Sequence, residues 1–97
     1  MKVVWSRRAI RNLVAVRAYI ERDSEQNAVL VANRILKAVE LLQTQPGIGR
    51  PGRLLGTREL VVPDTPYIIP YRMRREGLEL MAVFHGRRQW PTKGTFN

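Results

Sequence analysis

The 97-residue chain contains no cysteine and a single histidine, His85. Disulfides, thiolate metal sites and a cysteine nucleophile are thereby excluded, and the scope for metal chemistry is narrow. Acidic residues are scarce as well, eight against seventeen basic ones, which leaves a formal net charge of +9. Lysine is rarer still: only Lys2, Lys37 and Lys93 occur, so fourteen of the seventeen cations are arginine. The planar guanidinium fork suits phosphate, carboxylate and aromatic partners. The longest apolar runs, Ala28 to Ala32 and Leu80 to Phe84, hold five residues each, whereas a membrane-spanning helix needs about 20. No secretory apolar region follows Met1, so a soluble cytoplasmic protein is expected.

What is present is ordinary globular composition, with 44% hydrophobic and 26% charged residues. This length supports one domain, residues 1–97, with a modest core. The positive field predicts attraction to nucleic acid or to an acidic protein, without separating them.

Residues 1–5 read as a short strand, and Ser6 offers an N-cap. A helix is expected over 7–22, its buried face drawn by Ile10, Leu13, Val14, Arg17 and Ile20. Asp23 and Ser24 are capping residues for a second helix over 24–44, whose stripe is Ala28, Val31, Ala32, Ile35, Val39 and Leu42. The two form a helical hairpin. A Pro/Gly loop follows over 45–57, and its run Gln45 to Gly52 is expected to carry neither helix nor ladder. Residues 58–85 hold three β-like runs, Arg58 to Val62, Tyr67 to Arg74 and Leu78 to His85, and 86–97 form a tail. The fold class is α+β: an N-terminal strand, an α-helical hairpin, and a three-stranded antiparallel meander completing one sheet.

With Glu76-Gly77 as a hairpin turn, Arg74 would lie across from Glu79. Tyr67, Ile69, Tyr71 and Met73 would then share a core face with Leu78, Leu80, Ala82 and Phe84. The opposite face would carry Ile68, Pro70, Arg72 and Arg74 beside Glu79, Met81, Val83 and His85. Aliphatic groups among cations suit a covering tail or partner.

Element order and several ordered motifs resemble the ParE/RelE superfamily of bacterial type II toxins. The motifs are Trp5-Ser6 with Ala9 and Leu13, Tyr19-Ile20, Leu42 to Pro46 with Gly49-Arg50, Gly56-Thr57-Arg58-Glu59-Leu60, Tyr67-Ile68-Ile69-Pro70-Tyr71-Arg72, and Ala82-Val83-Phe84-His85-Gly86-Arg87-Arg88. The resemblance spans nearly the whole chain. It implies a RelE/ParE-like fold and a growth-inhibiting toxin encoded beside an antitoxin that silences it. RelE-like members cut mRNA on the ribosome without metal; ParE-like members poison DNA gyrase.

Metal-free RNA cleavage needs a group to activate the 2′-hydroxyl, an acid for the leaving oxygen and cations for the phosphate. Arg58, Arg72, His85 and Arg87 are the candidates for these catalytic roles. Against cleavage, no tyrosine or similar proton-transfer group stands between His85 and Trp90, and the loop before Arg58 offers Arg50 and Arg53, which are poor bases. The reading is therefore a toxin that binds and poisons DNA gyrase, closer to the ParE-like members. The alternatives are a ribosome-dependent endoribonuclease and a basic RNA-binding module without toxicity. Arg74, Met81, Arg88 and Trp90 are the expected partner-binding residues. No cofactor or metal is implied, and an acidic antitoxin segment is the expected partner.

Overall fold

The computed structural model describes residues 1–87, which fold as two helices beside one sheet. Strand β1 (Val3–Trp5) leads into α1 (Arg7–Glu21), where Ser6 is extended and its Oγ accepts the Ala9 N–H at 3.0 Å. Ser24 does the same for α2 (Glu25–Leu41), accepting the Asn27 N–H at 3.1 Å. Both serines therefore satisfy amide donors that a helix start leaves open.

The core-facing stripe of α1 is buried Ala9 with partly buried Leu13, Val16 and Ile20. The sequence-based stripe is rotated from this, because Ile10 and Val14 are 50% and 64% exposed. Leu13 and Ile20 belong to both stripes; small, fully buried Ala9 is what lets the helix approach the sheet. In α2, Ala28, Ile35, Ala38 and Val39 are buried, followed by Leu42 just past the helix end.

Five further strands follow: β2 (Arg50–Pro51), β3 (Arg58–Val61), β4 (Tyr67–Arg74), β5 (Gly77–Leu80) and β6 (Phe84–His85). The sheet runs β1-β5-β4-β3-β2, with β6 also paired to β4. β1 lies parallel to β5, and the remaining pairs are antiparallel. This is an α+β fold with an N-terminal strand, a helical hairpin and an antiparallel meander in a single sheet. The Pro/Gly run does enter the ladder, contrary to expectation: Arg50 pairs with Glu59 and Pro51 with Arg58. Proline is compatible with this position because β2 is an edge.

The hairpin register also differs from the sequence reading. Arg72 faces Glu79 and Arg74 faces Gly77, so the turn is Arg75-Glu76. Gly77 has φ +146, a conformation that favours glycine, and it sits just after the turn instead of within it. The displacement is two residues, so every side chain up to Leu80 keeps its expected face.

Beyond Leu80 the faces exchange. Tyr71 pairs with Leu80 but Ile68 pairs with Phe84, so three steps along β4 match four steps along the returning chain. The extra residue is a β-bulge at Met81 to Val83. Its cause lies in β4: even-numbered residues turn their backbone groups toward β5, and Pro70 has a carbonyl but no N–H to offer. Met81 N–H donates to that carbonyl at 2.8 Å. Helix α1 holds the rest of the bulge, with Asn12 Oδ1 accepting the Val83 N–H at 3.1 Å and Ser6 Oγ donating to the Met81 carbonyl at 3.1 Å. Val83 consequently joins the core, and Phe84 pairs with Ile68 on the sheet face away from it.

The core packs Ile35, Val39 and Leu42 against Leu60, Val62, Tyr67, Ile69, Tyr71, Leu78 and Leu80. Tyr67 and Tyr71 are core residues, as their strand parity requires.

Candidate functional site

The four residues proposed for catalysis separate once the sheet is formed. Arg58 opens β3, and its Nη1 donates to the Gly49 carbonyl at 2.7 Å. Arg72 lies on the face of β4 opposite Tyr71, and its Nε contacts Glu79 Oε1 at 2.8 Å. Arg74 Nε reaches the same oxygen at 3.5 Å, so one carboxylate serves two guanidiniums. Arg58 and Arg72 nonetheless line one hollow of about 300 Å³, together with Pro51, Thr57, Tyr71 and Met73.

His85 is elsewhere. The bulge turns it to the core-facing side, where its ring meets Tyr67 edge-on with centroids 5.8 Å apart. The pairing position of Tyr67 is five residues from Arg72 along β4, roughly 17 Å at strand spacing. His85 Nδ1 accepts the Arg87 N–H at 3.1 Å, and Arg87 is exposed. The expectation that Arg72 and His85 share a face is thus corrected by the extra residue in the bulge.

Of the expected partner-binding residues, Arg74 is on the surface, with 56% of its side chain exposed. Met81 is only 5% exposed and belongs to the packed bulge. Arg88 and Trp90 lie outside the described residues. Ile68 and Pro70 are buried too, so this sheet face presents arginines around an already covered apolar centre.

The Pro/Gly loop is fixed from below by Tyr71. Its hydroxyl accepts the Gly49 N–H at 2.9 Å and donates to the Pro46 carbonyl at 2.8 Å. The other side of the loop is held by Glu59, which is 3% exposed, faces Arg50 Nε at 3.0 Å and accepts the Arg53 N–H at 2.9 Å. A buried carboxylate needs such partners to remain tolerable.

Between this loop, the β3 edge and α2 runs a groove of about 480 Å³. Ala38, Leu41, Ile48, Leu60 and Pro63 give it an apolar lining, while Arg34, Lys37 and Arg50 rim it. Leu41 and Ile48 are 51% and 41% exposed. Sequence reasoning missed this groove. The available signal was the line Arg34, Lys37 and Leu41, which recurs at helical spacing beside the core stripe.

Comparison with known proteins adds independent information. Residues 3–90 match the model of the ParE toxin of the type II toxin–antitoxin system parDE. Over 90 residues, 93% of each chain, the sequence is 48% identical to Y4kP of Sinorhizobium fredii, a protein with a toxin designation. It is 34% identical to toxin RelE2 of Caulobacter vibrioides over 87 residues, covering 90% of this chain and 97% of that one. The fold is similar to a chain of the chromosomal ParDE system from P. aeruginosa, with a TM-score of 0.78 and 25% identity over 88% of this chain and 95% of that one.

Proposed function

The chain belongs to the ParE toxin family of type II toxin–antitoxin systems, and from that membership we propose that it arrests growth in the cytoplasm by binding and poisoning DNA gyrase. Family membership implies an antitoxin partner; we further propose that an acidic segment of that antitoxin neutralises the toxin by covering its basic surface. The observation that carries a binding role over a catalytic one is the dispersal of Arg58, Arg72 and His85. A general acid or base must stand within hydrogen-bond reach of the proton it moves. Here the single imidazole is on the other side of the sheet from Arg72, and both arginines are engaged by groups of the protein itself.

The hollow shared by Arg58 and Arg72 supports a second reading, a metal-independent, ribosome-dependent mRNA endoribonuclease. Both arginines line it, Arg58 from the sheet face of its ladder partner Tyr71 and Arg72 from the opposite face, and the Tyr71 hydroxyl is taken up by Gly49 and Pro46. Purified toxin added to translating ribosomes, with primer extension on the mRNA, tests between the readings. The gyrase reading expects no new 5′ ends; codon-dependent cuts lost in Arg72→Ala would establish the nuclease.

A further inference from the structure

Helix α1 carries a second pattern besides the stripe that meets the sheet. Arg7, Arg11, Ala15, Ala18 and Arg22 recur every three or four residues, so they stand in one row along the helix, and all five are exposed. Arg22 is the C-cap and keeps helical backbone angles, which extends the row to the end of the helix. The row lies opposite the core-facing stripe, with the exposed aliphatics Ile10 and Val14 to one side of it. At a rise of 1.5 Å per residue, Arg7 and Arg11 stand about 6 Å apart, and Arg22 lies about 16 Å beyond Arg11.

These guanidiniums have no counter-charge. All eight acidic side chains fall within the described residues. The ion pairs there join Glu59 to Arg50 and Glu79 to Arg72 and Arg74, and the side chains of Arg7, Arg11 and Arg22 have no partner among the described residues. Residues 88–97 contain no Asp or Glu, so they bring no acidic side chain to the row. Arg7 also stands in the first turn of α1, which holds no acidic residue and where the helix dipole is already positive. A cation at that end costs helix stability and strengthens the attraction for an anion. Near Arg22, the acids Glu21, Asp23 and Glu25 weaken the field, so it is strongest at Arg7 and Arg11.

We propose that this row binds the phosphate backbone of duplex DNA, with Arg7 and Arg11 on one strand, Arg22 on the strand across the major groove, and Ala15 and Ala18 over the groove. The B-form major groove is about 12 Å wide, and the interval of about 16 Å from Arg11 to Arg22 spans it. The narrow major groove of A-form RNA does not match that interval. The two methyl groups at the centre let the helix come close, but they offer none of the large anchors around which protein interfaces are built. They also offer no hydrogen bond to a base edge, so the contact is independent of sequence. The inference goes beyond the gyrase reading: naked duplex is a ligand in its own right, and failure here leaves that reading untouched.

Fluorescence anisotropy of the purified toxin with a mixed-sequence DNA duplex, across a salt series, tests the row. Three phosphate contacts should give a slope of log affinity against log salt of about −2.7. The double variant Arg7→Ala/Arg11→Ala should bring the slope to about −0.9 and weaken binding at low salt at least about tenfold. Lys2→Ala/Arg75→Ala removes the same charge elsewhere on the surface and should move the slope by less than about 0.5. Arg7→Glu should weaken binding while holding or raising the thermal unfolding midpoint, because an acidic residue suits the first turn of a helix; loss of binding is thereby separated from loss of fold. Equal losses in the two double variants, or no binding to DNA at low salt, overturns the site. An RNA duplex bound as tightly, with the same dependence on Arg7 and Arg11, overturns it too. Undiminished DNA binding by the row variants, together with weakened binding to the antitoxin, marks the row as a surface for an acidic protein and likewise overturns the inference.

Discussion

The Tyr71 hydroxyl accepts the Gly49 N–H at 2.9 Å, joining the centre of the sheet to the loop that ends α2. A β-carbon on Gly49 would lie 2.6 Å from Tyr71 Cε1. The glycine is therefore fixed by close approach of the ring, and the loop's path past the β3 edge depends on it. That path keeps Ile48 out of the ladder and the groove open.

Tyr71→Phe should keep the ring packing but leave the Gly49 N–H and the Pro46 carbonyl without their partner. A cost of about 1–3 kcal/mol follows, measurable by urea unfolding. Gly49→Ala should cost more, because the ring is fully buried and has nowhere to move.

Asn12→Ala removes the acceptor for the Val83 N–H in the bulge. The expected loss is about 1–2 kcal/mol, with faster amide exchange at Val83 before any change at Ile69. Equal acceleration at both amides would mean that the bulge does not open separately from the sheet.

Glu59→Gln keeps the shape of the buried side chain but removes its charge from the Arg50 guanidinium and the Arg53 N–H. Hydrogen bonds to a charged group are the stronger kind, so stability should fall by about 2 kcal/mol. Thermal unfolding at neutral pH checks this.

His85→Gln should leave growth inhibition within about twofold of wild type, since His85 packs on Tyr67 across the sheet from Arg72 and the binding reading gives it no proton to transfer. Induction of the variant in cells lacking the antitoxin measures it. Loss of toxicity with an unchanged unfolding midpoint would return His85 to a chemical role.

The order of elements was legible because local signals agree: Ser6 and Ser24 stand directly before apolar periodicity, and Pro46 stops the second helix. The core parity of Tyr67, Ile69 and Tyr71 was legible for the same reason. Two features escaped. The rotation of α1 depends on how closely Ala9 allows the helix to approach, a tertiary property. The bulge depends on Pro70 lacking an N–H on one particular side, which requires knowing which neighbour that side faces. Through the bulge, the placement of His85 was misread, and with it the geometry of the proposed catalytic set. The groove was hidden because Val61, Ile48 and Leu41 come from three separate segments.

Steered association should be visible in the kinetics. With +9 on the toxin and the proposed acidic segment on the antitoxin, the association rate should fall steeply between low and high ionic strength, while dissociation changes less. Stopped-flow mixing of the separated proteins measures both; a flat association rate would contradict an acidic partner segment.

DNA gyrase is the proposed target. Purified toxin, added to gyrase with supercoiled plasmid, should inhibit supercoiling and accumulate cleaved DNA–gyrase complexes, and prior addition of antitoxin should abolish both effects. Undiminished supercoiling with no cleaved complexes at saturating, folded toxin would contradict the account.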